Sequence, residues 1–415
     1  MPSGLPTAPD TTIGLQPPSF QPPQAPKAPG GTPVILNPII AVLKGYLDVV
    51  CPGGLSQAVK TAYQKIPDFM NKLNIRDAES FIDFANDLLK WIPHENFQGK
   101  DIYDILCMFY FILDQPPLKE LQTPIEPKEV GQPLSWLSSW VVVYAQLIGL
   151  FMDTPASLTR KSLESFIESP LYGFEDCVIP EAGFRTFNEF FSRSLKLDKR
   201  PIEEPDNDAI IVYPADCTYD NSIDKHSIID IKSGGTVSIK GLTWTISSLL
   251  QGSDYANEFD GGIFMHAYLH TYNYHRQHAP VSGTVLEAKN IQGAAYLEVD
   301  AKCRPVRKMC EDPEMPNSAG YQFLQMRGVV VIDNPTLGKV AVLPIGMAMI
   351  SSVKLSVREG DVLDKGDEIS HFLFGGSDII CVFQAKAGLQ PRNFVKTEKE
   401  YSKMGSILAR APILS

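Results

Sequence analysis

Cysteine is scarce and unpatterned: seven among 415 residues, an odd number with no Cys-x-x-Cys step. That excludes a disulfide framework and a zinc module of ordinary spacing. Positive charge is also short. The chain has 37 Lys and Arg against 48 Asp and Glu, a formal net charge of −11, which argues against nucleic acid as a partner and gives no global attraction to an anionic membrane. The first 33 residues lack arginine and any apolar core, so neither a mitochondrial presequence nor a secretory signal is read there. They are dominated by proline and cannot bury a core, which reads as a disordered tail. A reducing, cytoplasmic setting is the expectation. Long apolar runs are nearly absent. Leu134 to Met152 carries no charge and is long enough to span a bilayer, yet Ser135, Ser138, Ser139 and Gln146 interrupt it; a helix buried in protein and interfacial membrane contact are the two readings.

What remains is ordinary globular material, 44% hydrophobic and long enough for two domains. From residue 34 to about 170 the period is helical. Ala78 to Ile92 places Phe81, Phe84, Leu88 and Ile92 at helical spacings behind Asp77, a candidate N-cap, and Asp101 to Leu113 reads similarly. Thr186 to Leu195 predicts another helix with an aromatic face. After Pro201 the period alternates in short branched runs: Ile210 to Tyr213, Ser227 to Ile231, Gly262 to His266, Gly283 to Ala288, Val329 to Ile332, Val340 to Leu343 and Ser352 to Val357. Glu359 to Glu368 reads as two turns flanking a short strand. Cys303 to Tyr321, polar and without period, reads as a loop and a candidate lid. Arg185, Arg193, Lys196, Lys199 and Arg200 lie close enough in sequence for a local basic patch.

Chemistry concentrates in two places. An apolar run, His371 to Phe374, stops at Gly375 and Gly376 and hands the chain to Ser377 and Asp378. Glycines leave the adjacent carbonyl uncovered, so Ser377 is a candidate to attack its own preceding peptide bond, and Gly-Gly-Ser is equally ordinary turn chemistry. The ester so formed can undergo β-elimination to leave an N-terminal pyruvoyl group. The second place is His270 to Gly283, where His275 and His278 are three residues apart. Proton transfer fits them better than metal binding, for which no third ligand is spaced correctly. Asp216, after a strand, is a candidate to orient a histidine and equally a turn aspartate.

Taken in order, Pro-Ala-Asp after a strand, Tyr-His-Arg-x-His-x-Pro-Val-Ser-Gly, Gly-Asp-x-Val-x-x-Gly-Asp-Glu and Phe-Gly-Gly-Ser resemble the phosphatidylserine decarboxylase family. Phe187 to Arg193 and Lys240 to Ile246 look like further landmarks of it. The resemblance covers about residues 185 to 385, and the preceding helical part looks more like that of fungal soluble L-tryptophan decarboxylases of the psilocybin-pathway type.

The resemblance implies an α+β chain: a tail over 1–33, an all-α domain over 34–170, and over 171–415 a strand-rich decarboxylase domain with a flattened, lipoyl-like β-barrel element, self-cleaved at 376/377. It implies that Ser377 becomes the pyruvoyl cofactor, with Gly376 at the cleavage site and Gly375 beside it. His278 and Asp216 then activate the serine, His275 donates a proton in decarboxylation, and the two self-cleaved chains stay associated. No metal or diffusible cofactor is implied. A substrate amine would condense with the pyruvoyl ketone as a Schiff base, which then accepts the electrons released with carbon dioxide. Cys217 and Asp378 depart from the family's pattern. Asp378 beside the cofactor, together with Phe264, Tyr268, Tyr272 and Tyr274 as a possible pocket, points to a free aromatic amino acid such as L-tryptophan; phosphatidylserine is the alternative substrate. A lipoyl or biotinyl carrier and an inactive binding protein are more remote readings.

Overall fold

The computed structural model describes residues 35–219, 228–239, 242–297, 320–349, 352–374, 376–395 and 400–412. The tail, the landmark residues Lys240 and Gly241, Gly375 and most of the candidate lid lie outside them.

The first half is helical, and its helices start where capping chemistry allows. Asn37 accepts from the Ile39 amide ahead of Pro38–Val50. Asp77 and Ser80 close a capping box on Ala78–Leu88, satisfying donors that a bare first turn leaves orphaned. This helix stops at Leu88 rather than continuing to Ile92, and it is Trp91 that becomes buried. Pro93 explains the shortening, since the residue before proline is pushed out of the α region. Asp101–Leu113 forms over the expected span and is buried on nearly every face. The uncharged stretch forms Trp136–Met152, capped by Ser135, with Leu137, Trp140, Val141, Tyr144, Ile148 and Met152 inward. Among the described residues no single helix is long and apolar enough to cross a membrane. The bent pair Pro38–Val50 and Gly54–Lys65 meets that test together, but it buries Ile40, Leu43, Leu47, Leu55, Val59 and Ala62 in the protein core.

The second half is built on a nine-stranded antiparallel sheet. Eight strands follow the order Val362–Leu363, Gly283–Ile291, Arg327–Asn334, Gly338–Met347, Gly376–Phe383, Ile263–Leu269, Cys217–Tyr219, Tyr401–Ser402, and Ile228–Asp230 also pairs with Ile263–Leu269. The predicted alternating runs all fall on strands. The path runs edge to edge and does not return on itself, so the flattened barrel is not found among the described strands.

Two cores flank this sheet. One is continuous from the helices, through Phe81, Phe109, Tyr144 and Phe187, to Leu269, Phe374, Ile379 and Cys381. The other packs Trp244, Ile246, Leu249 and Phe323 against Phe264, Ile345, Ile380 and Val382. Odd-numbered residues of Gly376–Phe383 therefore face the helices and even-numbered ones face away, as the period of two requires.

Candidate active site

Ser377 is the second residue of the strand Gly376–Phe383, near the middle of the sheet. It pairs with Gly346 on one side and Leu269 on the other. Its side chain is fully buried on the face toward the helices, and its hydroxyl has no hydrogen-bond partner. A buried hydroxyl without a described partner calls for an explanation, and a catalytic role is one of the recurrent ones. Across the ladder, Gly376 pairs with Met347, and Ala348 just beyond it sits at φ 58, a left-handed alanine of the kind that collects at functional sites.

The histidine segment is tied to the same place by backbone. Leu269, opposite Ser377, ends the strand that leads into it, and the His275 carbonyl accepts from the Phe372 amide 2.9 Å away. His275 stacks on Phe191 with ring centroids 4.0 Å apart, and Phe191 in turn meets Phe374 edge-on at 5.8 Å. Phe374 also takes an edge contact from Trp91 of the helical half, while its amide donates to Asn188. Burial, with the Arg193 charge second, holds the His275 imidazole well below its usual range, so it stands neutral near pH 7. Arg193 is itself buried and donates to the carbonyls of Tyr172 and Tyr272, both at 2.9 Å, fixing the turn that carries His275.

His278 is oriented by two partners. Nδ1 lies 2.7 Å from the Gly366 carbonyl and Nε2 lies 2.9 Å from the Tyr274 hydroxyl, so Nδ1–H donates and Nε2 accepts. Burial lowers its pKa too. Asp216 lies close in the backbone, because the His278 amide donates to the Pro214 carbonyl. Its carboxylate, however, is taken by Arg200 through two bonds of 2.7 and 2.5 Å, by the Tyr401 hydroxyl and by the Met404 amide. Its charge is the smallest of the influences on the His278 pKa, and the imidazole's described hydrogen bonds go elsewhere. The Gly366 carbonyl does the orienting expected of Asp216.

Two expectations about the surroundings change. Asp378 points away from Ser377, into the second core, where its carboxylate lies 3.0 Å from His266 Nε2 and accepts from the Tyr321 hydroxyl at 2.5 Å. Consecutive strand residues face opposite ways, so adjacency in sequence placed it wrongly. For the same reason Phe264 and Tyr268 lie on the far face from Ser377. Tyr272 stacks on His270 and Tyr274 serves His278, so the four aromatics do not form one pocket. The basic patch also dissolves. Arg185 pairs with Glu189, Lys199 with Asp176 and Arg200 with Asp216, Lys196 donates to the Glu175 carbonyl, and Arg193 is inside.

Sequence reading missed Arg193, Arg200, His266 and Tyr401. Only the first two had a signal, as basic residues next to an aromatic helix. Among the described residues no cluster of His, Cys, Asp or Glu would hold a metal, and no disulfide joins any two of the five described cysteines.

Residues 187–410 match the family model described as phosphatidylserine decarboxylase. The chain is 33% identical over 236 residues to phosphatidylserine decarboxylase proenzyme 3 of Schizosaccharomyces pombe, covering 57% of this chain and 22% of that one. It is 33% identical over 242 residues to phosphatidylserine decarboxylase proenzyme 2 of Oryza sativa subsp. japonica, with 58% and 36% covered. With decarboxylase iboD of Amanita muscaria it shares 28% over 267 residues, 61% and 75% of the two chains. It therefore spans only about a fifth to a third of the length of the first two.

Proposed function

Since the chain belongs to the phosphatidylserine decarboxylase family, we propose that it cleaves itself between Gly376 and Ser377 and then decarboxylates an α-amino carboxylate. The observation that carries this is Ser377 itself: buried, unpartnered, at a Gly-Ser step, on the face of the sheet that meets the histidine segment. Several relatives are named proenzymes, which accords with a chain that must be processed.

In the processing step His278, neutral and with Nε2 as acceptor, receives the Ser377 hydroxyl proton as Oγ bonds to the Gly376 carbonyl carbon. The Gly376–Ser377 C–N bond breaks and the serine nitrogen takes up a proton. Removal of the Ser377 Cα proton then expels the Gly376 carboxylate from Cβ, and water releases the nitrogen as ammonia, leaving a ketone. The open Ser377 hydroxyl fits this origin for a pyruvoyl group. That group supplies an electron sink for the charge left by departing carbon dioxide. His275 shields the site with Phe191 and Phe374. Being neutral at rest, it must first take up a proton before returning one to the product carbon.

The lean toward a free aromatic amino acid loses two of its supports, since Asp378 and the four aromatics are not grouped around Ser377. Phosphatidylserine, named in most of the relatives, becomes the first substrate to test. Val42 and Val49 of the first helix and Val143 and Leu150 of Trp136–Met152 are exposed apolar side chains that suit a lipid. A free amino acid, which presents the same α-amino carboxylate, is the second reading; the Amanita muscaria relative is named only as a decarboxylase, with no lipid in its name.

Intact-mass measurement tests the first step: wild type should give two chains, whereas Ser377→Ala and His278→Ala should remain whole. Carbon dioxide release from phosphatidylserine in micelles and from a panel of amino acids tests the second. A whole, fully active wild type would sink the proposal.

A further inference from the structure

We infer that His266 and Tyr321 form a clamp on Asp378 that holds the new N-terminus of the small fragment once the Gly376–Ser377 bond has broken. This deepens the self-cleavage reading and rests on it. Before cleavage, the start of the strand is held from both directions, with Gly376 paired to Met347 and Ser377 to Gly346 and Leu269. After cleavage residue 377 begins a chain. Chain ends fray unless something ties them down, and here the end carries the reacting group.

Asp378 is the second residue of that new chain. Its side chain and that of His266 are both fully buried, with Nε2 and Oδ2 3.0 Å apart, and the Tyr321 hydroxyl donates to the same oxygen at 2.5 Å. The three residues come from separate segments: the strand Ile263–Leu269, the short turn Tyr321–Phe323 and the serine strand. Farther along this face of the serine strand come Ile380 and Val382, which are apolar and give no directional bond. The Gln322 amide adds a long contact at 3.5 Å. A buried carboxylate is expensive without partners, and this one has its described bonds, all to Oδ2, one residue beyond the scissile bond, on the face that leaves the reacting side free.

The test compares cleaved protein with the uncleavable Ser377→Ala form. Asp378→Ala, His266→Ala and Tyr321→Phe are made in both, and amide hydrogen exchange at residues 378–380 is followed by mass spectrometry. In cleaved protein, Asp378→Ala and His266→Ala should exchange at least tenfold faster at these amides, and Tyr321→Phe about threefold. In the Ser377→Ala form, where Gly376 still holds the strand, the increase should stay below threefold. Turnover should follow, with kcat at least tenfold lower and KM within twofold, while Asp378→Asn, which keeps the shape and an acceptor for His266, should stay within threefold of wild type. Equal acceleration in cleaved and uncleaved forms would overturn the clamp, as it would then be general stabilisation. So would failure of all three variants to cleave, or wild-type exchange in cleaved Asp378→Ala. A wild type that stays whole would instead remove the self-cleavage reading beneath it.

Discussion

His275 lies flat against Phe191, with centroids 4.0 Å apart and 27° between the planes, inside a core that leaves the imidazole no exposure. Burial depresses its pKa, so below about pH 6.5 the unfolded chain binds a proton that the folded chain does not. Stability is therefore lost as pH falls through that range and is fully present above it. Replacing His275 with Phe should keep the packing, allow cleavage, abolish decarboxylation and flatten the fall in melting temperature between pH 7 and pH 5. Thermal unfolding at four pH values, with fragment masses, checks this. An uncleaved His275→Phe chain would show instead that the residue acts in processing.

Asp216 and Arg200 form a nearly buried, two-bond pair that Tyr401 and the Met404 amide complete. Removing one member leaves the other buried without its countercharge, a loss of about 3–5 kcal/mol. Arg200→Met and Asp216→Asn should both accumulate uncleaved chain, because both release the Pro214–Asp216 segment against which His278 is hydrogen-bonded. Cleavage half-times on gels should rise at least tenfold for each. Normal cleavage in Arg200→Met would leave Asp216 acting on His278 by charge alone.

Gly366 holds His278 through its carbonyl while at φ 97, and a Cβ there would come within 2.5 Å of Ile202. A left-handed alanine costs about 1 kcal/mol even with space available. Gly366→Ala should slow self-cleavage several-fold with less effect on turnover once cleavage has finished. Gly360, also left-handed but with nothing near its Cβ position, supplies the control: Gly360→Ala should cleave within twofold of wild type.

Helix starts and strand positions were legible because their causes are local: Asp77 caps its own helix, Ser135 its own, and branched runs alternate over a few residues. The candidate groups Ser377, His275 and His278 were legible as motifs. Their partners were not. Arg200 reaches Asp216 across 16 residues and Tyr401 across 185, and nothing short of the fold brings those together. Asp378 is the instructive error, since the period of two already implied that it turns away from Ser377, and the sequence reading applied adjacency where it needed alternation. The strand order among the described residues was equally hidden, because strand spacing does not say which strands become neighbours.

Glu95 gives a prediction independent of the site. It is buried in the helical half, accepting from the Asn96 and Asp101 amides and from the Tyr172 hydroxyl, and burial raises its pKa to about 7 despite those bonds. A carboxyl whose folded pKa lies above its unfolded value of 4.5 binds its proton more tightly in the folded state. Stability therefore falls as pH rises from about 4.5 to 7 and is level above that, a loss of about 3 kcal/mol at 1.36 kcal/mol per pKa unit. Glu95→Gln keeps an acceptor for the two amides and removes the charge. Its melting temperature should exceed wild type's by several degrees at pH 8 and match it near pH 4.5, with cleavage unchanged. The sign separates the causes: a variant less stable at pH 8 would mean that the ionised carboxylate is favoured by its three donors more than burial penalises it.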